Sequence, residues 1–144
     1  MTAAHARAML LARPDAVVRR EPATSRVSLV AGAIFVIAGL VKFVFHHWEL
    51  HAFRSFGLPW AGELEILAGV LETAGGLLLI GRRWILPSAL LLSATMVVAI
   101  VSSGILHGDV IPSLTLAPAL LLAVLFICGR VLRDARSRRR STAA

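Results

Sequence analysis

Four long apolar runs, separated by short polar stretches, set the pattern of this chain. They cover residues 27–45, 64–81, 85–106 and 111–129, so each run contains between 18 and 22 residues. At about 1.5 Å of rise per residue, such a run forms a helix of about 27–33 Å, which matches the hydrocarbon core of a bilayer. None of the runs carries the polar stripe of an amphipathic surface helix. The pattern therefore predicts four transmembrane helices.

The connections between these runs indicate how the helices are arranged. The second and third connections are only about 3 and 4 residues long, so successive helices must lie side by side in opposite directions. The flanking stretches, residues 1–26 and the Arg-rich residues 130–144, contain few large apolar side chains, and we expect them to be mobile tails. The predicted fold is an all-α integral membrane four-helix bundle over residues 27–129.

The arginines beside the predicted helices indicate the orientation of the bundle. Five lie in the N-terminal tail, two in the second loop and six in the C-terminal tail, whereas the first loop has only Arg54 and the third has none. Loops rich in Lys and Arg stay in the cytoplasm. We therefore expect a multi-pass protein of a bacterial cytoplasmic membrane, with both termini cytoplasmic.

The composition agrees with a membrane protein and narrows its chemistry. Hydrophobic residues make up 58% of the chain and charged residues 16%, against about 45–50% and 25% in soluble domains. A net charge of +7 would suggest nucleic-acid binding in a soluble protein, but here the arginines encode orientation. The predicted partner is the lipid bilayer and not nucleic acid. Because Cys128 is the single cysteine, a disulfide framework, a CxxC redox pair and a cysteine zinc site are excluded.

Three charged residues lie inside the predicted spans. Lys42 is near the outer end of the first helix, Glu65 is near the outer start of the second, and Glu72 is close to the middle of the second. A charge at the bilayer centre costs about 2.5–3.5 kcal/mol on insertion scales, so such groups normally face the bundle interior and have partners there. We interpret Lys42 and Glu72 as the candidate ligand and proton site, supported by Glu65.

Glycines share the helix faces that carry these charges. Two stripes follow helical spacing, and they consist of Gly32, Phe35, Gly39 and Lys42 on the first helix and of Glu65, Gly69, Glu72 and Gly76 on the second. Small residues mark close-packed faces in membranes, so Gly39 and Gly76 are read as supporting residues. The two stripes together predict a buried polar site between the first and second helices.

Depth in the membrane suggests partners for these charges. Lys42 and Glu65 lie at similar depth and are expected to pair, whereas Glu72 lies about 10 Å deeper by helical rise and is only partly within reach of Lys42. Thr95 on the third helix is near the depth of Glu72, and we expect a hydrogen bond between them. One alternative stays open, in which the charged residues form an ion pair that only fixes helix packing.

A histidine-rich string, HHWELH, lies in the first loop. His47 and His51 are four residues apart, so they would share a face of a helix, and His107 and Asp109 are expected on the same side of the membrane. Imidazole and carboxylate groups suit zinc, copper or iron. The spacing matches no established metal motif, however, so His47 and His51 are weak candidates and no metal site is predicted.

Several segments of the chain resemble the signatures of the DoxX family of small four-helix membrane proteins. The matching residues are Gly32, Phe35, Gly39 and Lys42–Phe43 on the first helix, Phe56–Gly57–Leu58–Pro59, Glu72 and Gly75–Gly76–Leu77–Leu78–Leu79–Ile80–Gly81 around the second, and Met96 and Ala99 on the third. The resemblance covers about residues 27–128. It places Lys42 and Glu72 at the family's characteristic charged positions, whereas Glu65 and the histidine-rich loop depart from its pattern.

This resemblance implies a role in membrane-linked redox chemistry. Its relatives include the membrane subunit of a thiosulfate:quinone oxidoreductase and a partner of superoxide dismutase and a sulfurtransferase. We therefore expect a subunit or quinone-binding component in which Lys42 donates to a quinone carbonyl and Glu72 relays a proton, with the quinone held noncovalently.

Three functional readings remain open at this point. One is the redox role, in which a redox-enzyme partner would supply the electrons, because the chain has no haem ligand pair, flavin fingerprint or iron–sulfur ligand set. Whether the chain is itself an enzyme is undecided. The first alternative is a non-enzymatic membrane scaffold or assembly factor with a structural Lys–Glu pair. The second is a carrier of protons or small solutes, which would need to form a homo-oligomer to make a pore.

Overall fold

The computed structural model describes residues 15–55, 57, 60–105 and 114–141, and every regular element in these ranges is a helix. The elements are α1 (Pro22–Val44), α2 (His46–Ser55), α3 (Ala61–Ile80), α4 (Ile85–Ala99), a π-helix (Ile100–Ile105) that continues α4, and α5 (Leu116–Ser141). Residues 15–20, ahead of α1, are helical as well. The predicted all-helical architecture is confirmed for the described part of the chain.

The long helices pack as a ring, in which α1 contacts α3, α3 contacts α4, α4 contacts α5 and α5 returns to α1. Fully buried apolar side chains from all four helices fill its centre, among them Phe35, Leu79, Leu92 and Val124. Large apolar side chains also cover the outside of the ring, for example Val30, Ile37, Val98 and Leu122. An apolar exterior of this extent suits hydrocarbon rather than water.

Three of the helices are long and apolar enough to cross a membrane, namely Pro22–Val44, Ile85–Ser102 and Leu116–Ser137. The other long helix, α3, has 20 residues but carries three carboxylates, at Glu63, Glu65 and Glu72. The other three each contain a long apolar stretch with at most two charged residues, which α3 lacks. Its glycines nevertheless pack directly against the apolar helix α1.

The closest helix contact in the ring joins α1 to α3 through glycines. A Cβ atom added at Gly32 would lie 2.8 Å from the carbonyl oxygen of Gly76, and one added at Gly39 would lie 2.7 Å from that of Gly69. Real Cβ atoms essentially never come within 3.0 Å of a heavy atom in this way, so the backbones approach as closely as they do because no side chain lies between them. The pairing of residue 32 with 76 and 39 with 69 also makes the two helices antiparallel.

The first loop differs from the sequence-based expectation, because most of it is helical. A single residue, Phe45, separates α1 from α2, which includes the whole HHWELH string. None of its residues is buried, and it packs mainly on α3 and to a smaller extent on α1. A short helix that lies outside the core but against two long helices forms a partial cover over one end of the bundle.

The predicted tails are also more structured than expected. Val17 and Val18 are buried, and both oxygens of Asp15 accept backbone hydrogen bonds at the start of α4, from Trp84 at 3.1 Å and Ile85 at 2.9 Å. This packing differs from the expectation of a mobile tail over residues 1–26, since the apolar Val17–Val18 pair gives the segment a side to bury. Residues 1–14 lie outside the described residues.

The fourth long helix is shifted along the chain relative to its prediction. Helix α5 begins at Leu116 and runs to Ser141, past the predicted end at residue 129 and through most of the Arg-rich stretch. Arginine and alanine are good helix formers, so the change from apolar to basic residues does not end the helix. Residues 111–113 and Leu106, which the predicted spans include, lie outside the described residues.

Candidate functional site

A buried ion pair joins α1 to α3 in the interior of the ring. The ammonium group of Lys42, in the last turn of α1, donates a 2.8 Å hydrogen bond to Oε2 of Glu72. The two side chains are 15% and 6% exposed. The expected partner of Lys42 was Glu65, and that expectation is wrong: the deeper carboxylate forms the pair.

The direction of side chains on a helix explains this choice of partner. Each Cα–Cβ bond tilts toward the N-terminus of its own helix. Because α1 and α3 are antiparallel, Lys42 tilts inward from the end of α1 while Glu72 tilts toward the start of α3, so the two side chains converge. Glu65 tilts away from Lys42, toward the end of the bundle where α2 lies.

Glu65 instead meets a histidine that the sequence did not single out. Nδ1 of His46, the first residue of α2, lies 2.7 Å from Oε2 of Glu65, whose side chain is 1% exposed while that of His46 is 46% exposed. The two atoms are close but not aligned as a hydrogen bond, and neither oxygen of Glu65 has a hydrogen-bond partner among the described residues. The feature of the sequence that could have pointed to His46 is its spacing, since it follows Lys42 by four residues.

A cavity of about 570 Å³ opens beside the Lys42–Glu72 pair. Its volume lies within the range of small-molecule sites, about 300–1,000 Å³. Apolar side chains form most of its wall, and Lys42, Glu72 and Thr95 are among the polar groups that reach it. Helix α2 forms one side of the cavity, and its contributions are Trp48, Glu49, Ala52 and Phe53.

Thr95 lines this cavity without bonding to Glu72. Its hydroxyl donates to the carbonyl oxygen of Leu92 on the same helix, at 2.9 Å, so the expected bond from Thr95 to Glu72 is wrong. Three residues back along a helix, a carbonyl is within easy reach of a threonine hydroxyl, and the local bond forms in place of one across the cavity. Thr95 and Glu72 are nevertheless on the wall of the same cavity.

The supporting glycines and the two histidines have separate places. Gly39 and Gly76 belong to the close contact between α1 and α3, where they set the helix separation that Lys42 spans to reach Glu72. His47 and His51 are both exposed on α2. Within the described residues no group of three or more His, Cys, Asp or Glu side chains could hold a metal ion. His107 and Asp109 lie outside those residues.

A second set of polar contacts lies at the opposite end of the ring, where the N-terminal segment meets α5. Arg130 donates a 2.9 Å hydrogen bond from Nε to Oε2 of Glu21 and makes a second contact with Oε1. Thr24 donates to the same carboxylate at 2.8 Å. The hydrogen bond from Arg130, followed by that from Thr24, lowers the pKa of Glu21 from its ordinary value. Nearby, buried Ser28 donates to the carbonyl of Leu79 at 2.8 Å.

Comparison with known proteins assigns the chain to one family. The profile of the DoxX family matches residues 26–107, which include most of α1, all of α2 to α4, and the residues Lys42, His46, Glu65 and Glu72. No curated protein and no solved structure matches the chain. Since the profile spans more than half of the sequence and the described residues form apolar membrane helices, this chain is a membrane protein that belongs to the DoxX family.

Proposed function

We propose that this protein binds a quinone noncovalently beside Lys42 and Glu72 and so supports membrane-linked redox chemistry together with a partner enzyme. The observation that carries the proposal is the position of the ion pair on the wall of a large apolar cavity. A pair that served only to join two helices would be best protected by close packing on all sides. An apolar cavity with a few polar groups at one place suits a lipophilic molecule with a polar head.

The chemistry of the two side chains fits this ligand class. An ammonium group has three N–H donors, and Lys42 directs one of them to Glu72. The others can hold a carbonyl oxygen of the ligand, while the carboxylate of Glu72 can accept or return a proton at that place. A quinone, when bound, supplies the capacity for two electrons and two protons. The electron donor would be the partner enzyme.

The proposal includes a topology. We infer that α3 is a fourth span, because its glycines pack against those of the apolar helix α1, and that both termini are cytoplasmic, because arginines are concentrated at that end. Alkaline phosphatase fusions test this arrangement. Activity is expected for a fusion after Leu58 and not for one after Arg83, and the reverse result would overturn the topology.

Extraction of the purified protein tests quinone binding. The protein is purified in native lipid, and bound quinone is measured by mass spectrometry relative to protein and to bulk lipid. Enrichment is expected for the unchanged protein and loss of it for Lys42→Met and Glu72→Gln. Matched controls are Arg54→Met and Glu63→Gln, which remove exposed charges outside the cavity wall and are expected to retain quinone. Equal quinone in all five proteins would exclude the proposed site.

A structural scaffold is the second candidate, favoured by the fact that Lys42 and Glu72 bond directly to each other. In that case Lys42→Met and Glu72→Gln would lower the amount of folded protein in the membrane. The activity per folded molecule in cells would be unchanged. A loss of bound quinone with normal abundance would instead support the ligand site.

A further inference from the structure

We propose that the cavity binds the reduced, hydroxyl-bearing quinol more tightly than the quinone. This inference rests on the proposed function and specifies which redox form of that ligand class the site favours. It follows from the hydrogen-bond donors and acceptors that the described residues present to the cavity. A quinone oxygen can only accept a hydrogen bond, whereas each hydroxyl of a quinol both donates and accepts.

Thr95 presents an acceptor and not a donor. The single proton of its hydroxyl is directed to the carbonyl of Leu92, at 2.9 Å. A hydroxyl has two lone pairs besides its proton, and Thr95 is on the cavity wall. While that bond is in place, a ligand that meets this oxygen donates the hydrogen bond, and a carbonyl could accept one there only if the hydroxyl rotated away from Leu92.

Glu72 presents a second acceptor. Lys42 binds its Oε2, and an ionised carboxylate has about four lone-pair sites on its two oxygens, so its acceptor capacity exceeds what one ammonium uses. A carbonyl placed beside this carboxylate would bring two sets of lone pairs together. A hydroxyl in the same place would donate to it and form a charge-assisted hydrogen bond, which is stronger than a neutral one.

Two further side chains on the wall, Lys42 and Trp48, carry donors. The two remaining N–H groups of Lys42 can hold one ligand oxygen, and either a quinone oxygen or a quinol oxygen can accept them. The indole of Trp48 is also a donor, but its residue is 68% exposed, as is typical of a side chain at a membrane interface. Near Lys42, Glu72 and Thr95 the ligand must accept one hydrogen bond and donate others, which a quinol does.

The expected preference is roughly tenfold, the size that one hydrogen bond to a buried polar group typically gives. Tighter binding of the reduced form raises the midpoint potential of the bound couple. For a two-electron couple, a tenfold ratio of dissociation constants corresponds to about 30 mV. The site would thereby favour uptake of quinol, or the formation of quinol from a bound quinone.

Binding measurements with one redox pair test the inference. Tetramethylbenzoquinone and its quinol are titrated separately, under anaerobic conditions, into the full chain in lipid nanodiscs, and free ligand is measured after equilibrium dialysis. The dissociation constant of the quinol is expected to be roughly tenfold lower than that of the quinone. Equal constants, or a lower constant for the quinone, would overturn the preference while leaving the proposed quinone site in place. Failure of both forms to bind would reject the preference together with the site.

Variants of Thr95 identify the source of the preference. Thr95→Val keeps the shape and removes the acceptor, so the ratio of the two constants is expected to fall severalfold, mainly through weaker quinol binding. Thr95→Ser is expected to restore it, and it separates loss of the hydroxyl from a failure to fold. Ser93→Ala is the matched control, because Ser93 donates to the carbonyl of Ala89 at 2.7 Å but is not on the cavity wall. An unchanged ratio in Thr95→Val, or an equal fall in Ser93→Ala, would contradict the role of Thr95.

Discussion

The two ends of the bundle use the same kinds of residue for different purposes. We call them the tail end, where Asp15, Glu21 and Arg130 lie, and the loop end, where α2 covers Lys42 and Glu65. At the tail end, Glu21 is held by Arg130 and Thr24, and Asp15 by two backbone amides. At the loop end, Glu65 has a close histidine but no aligned hydrogen bond, and the Lys42–Glu72 pair borders a cavity.

This difference shows that a carboxylate near a cation does not by itself mark a functional site. The carboxylates of the tail end have specific donors, and those contacts fix the N-terminal segment to α4 and α5. The pair at the loop end has unused hydrogen-bonding capacity beside an apolar space that a molecule can enter. Unused capacity next to a cavity, rather than burial or charge alone, is what distinguishes a candidate binding site.

Removal of Lys42 tests the loop end and has the largest expected effect. Lys42→Met leaves Glu72 buried without its cation, and breaking a buried pair in this way costs about 3–5 kcal/mol. The double variant Lys42→Met/Glu72→Gln removes both charges and is expected to recover most of the stability, measured by unfolding in detergent. It is not expected to recover bound quinone. Recovery of both stability and quinone would make the loop end equivalent to the tail end.

Two glycine variants, one nearer each end of the contact between α1 and α3, test whether quinone binding depends on the loop end alone. Gly39→Ala and Gly76→Ala both force a methyl group against the backbone of the opposite helix, and each is expected to cost about 1–3 kcal/mol of unfolding free energy. Gly39 lies one turn from Lys42, so only Gly39→Ala is expected to reduce quinone binding.

Gly62→Ala serves as the control for these variants. A methyl group at Gly62 would meet only the end of the Leu50 side chain, at 3.6 Å, so it is expected to be neutral or slightly stabilising because alanine favours helix. Equal loss of quinone in Gly39→Ala and Gly76→Ala would show that binding depends on the whole bundle and not on the loop end.

The cap at the start of α4 tests the tail end alone. Asp15→Ala removes the acceptor for the amides of Trp84 and Ile85, and loss of a helix cap typically costs about 1 kcal/mol. Thermal unfolding followed by circular dichroism measures the change, and Asp15→Asn, which keeps one oxygen, is expected to lose less. Quinone binding should not change. A drop in quinone with Asp15→Ala would mean that the two ends are coupled.

Acidification gives the smallest expected effect and also acts on the tail end. The pKa of Glu21 is lower in the folded protein than its ordinary value, so the folded state favours the ionised carboxylate. This contribution to stability is complete above the ordinary glutamate pKa and is lost as the pH falls through the lowered folded-state pKa. The melting temperature of the unchanged protein should fall over this acidic range more steeply than that of Glu21→Gln. Parallel pH curves for the two proteins would argue against the Glu21–Arg130 contact.

Much of this architecture could be predicted from the chain because it depends on local pattern. The apolar runs located the long helices to within a few residues at Ile85 and Ile80, and the glycine spacing identified the faces of α1 and α3 that meet. The same reasoning failed where polar and apolar residues alternate without a clear majority. Helix α2 and the packed Val17–Val18 segment were read as loop and tail, because a short surface helix has too few apolar residues to be recognised alone.

The candidate site was predicted in its members and not in its pairings. Lys42 and Glu72 were identified by the cost of placing charge in a membrane. Their partnership was not, because depth was judged from Cα positions alone. Side chains tilt toward the N-terminus of their helix, and this tilt moves Lys42 and Glu72 together and Glu65 toward His46. The bond from Thr95 to Leu92 was missed because a carbonyl three residues back on the same helix is within reach of a threonine hydroxyl.

The sequence by itself determined that this is a helical membrane protein. It also determined the charges that the apolar helices must accommodate and the glycines that allow close packing. These properties follow from transfer free energy and helical spacing, and both act along one helix at a time. Only the tertiary structure decided which carboxylate Lys42 meets, that α2 covers one end, and that a cavity remains beside the ion pair. Those outcomes depend on the register of antiparallel helices and on the direction of the side chains between them. Residues that are distant in the chain determine both of these together.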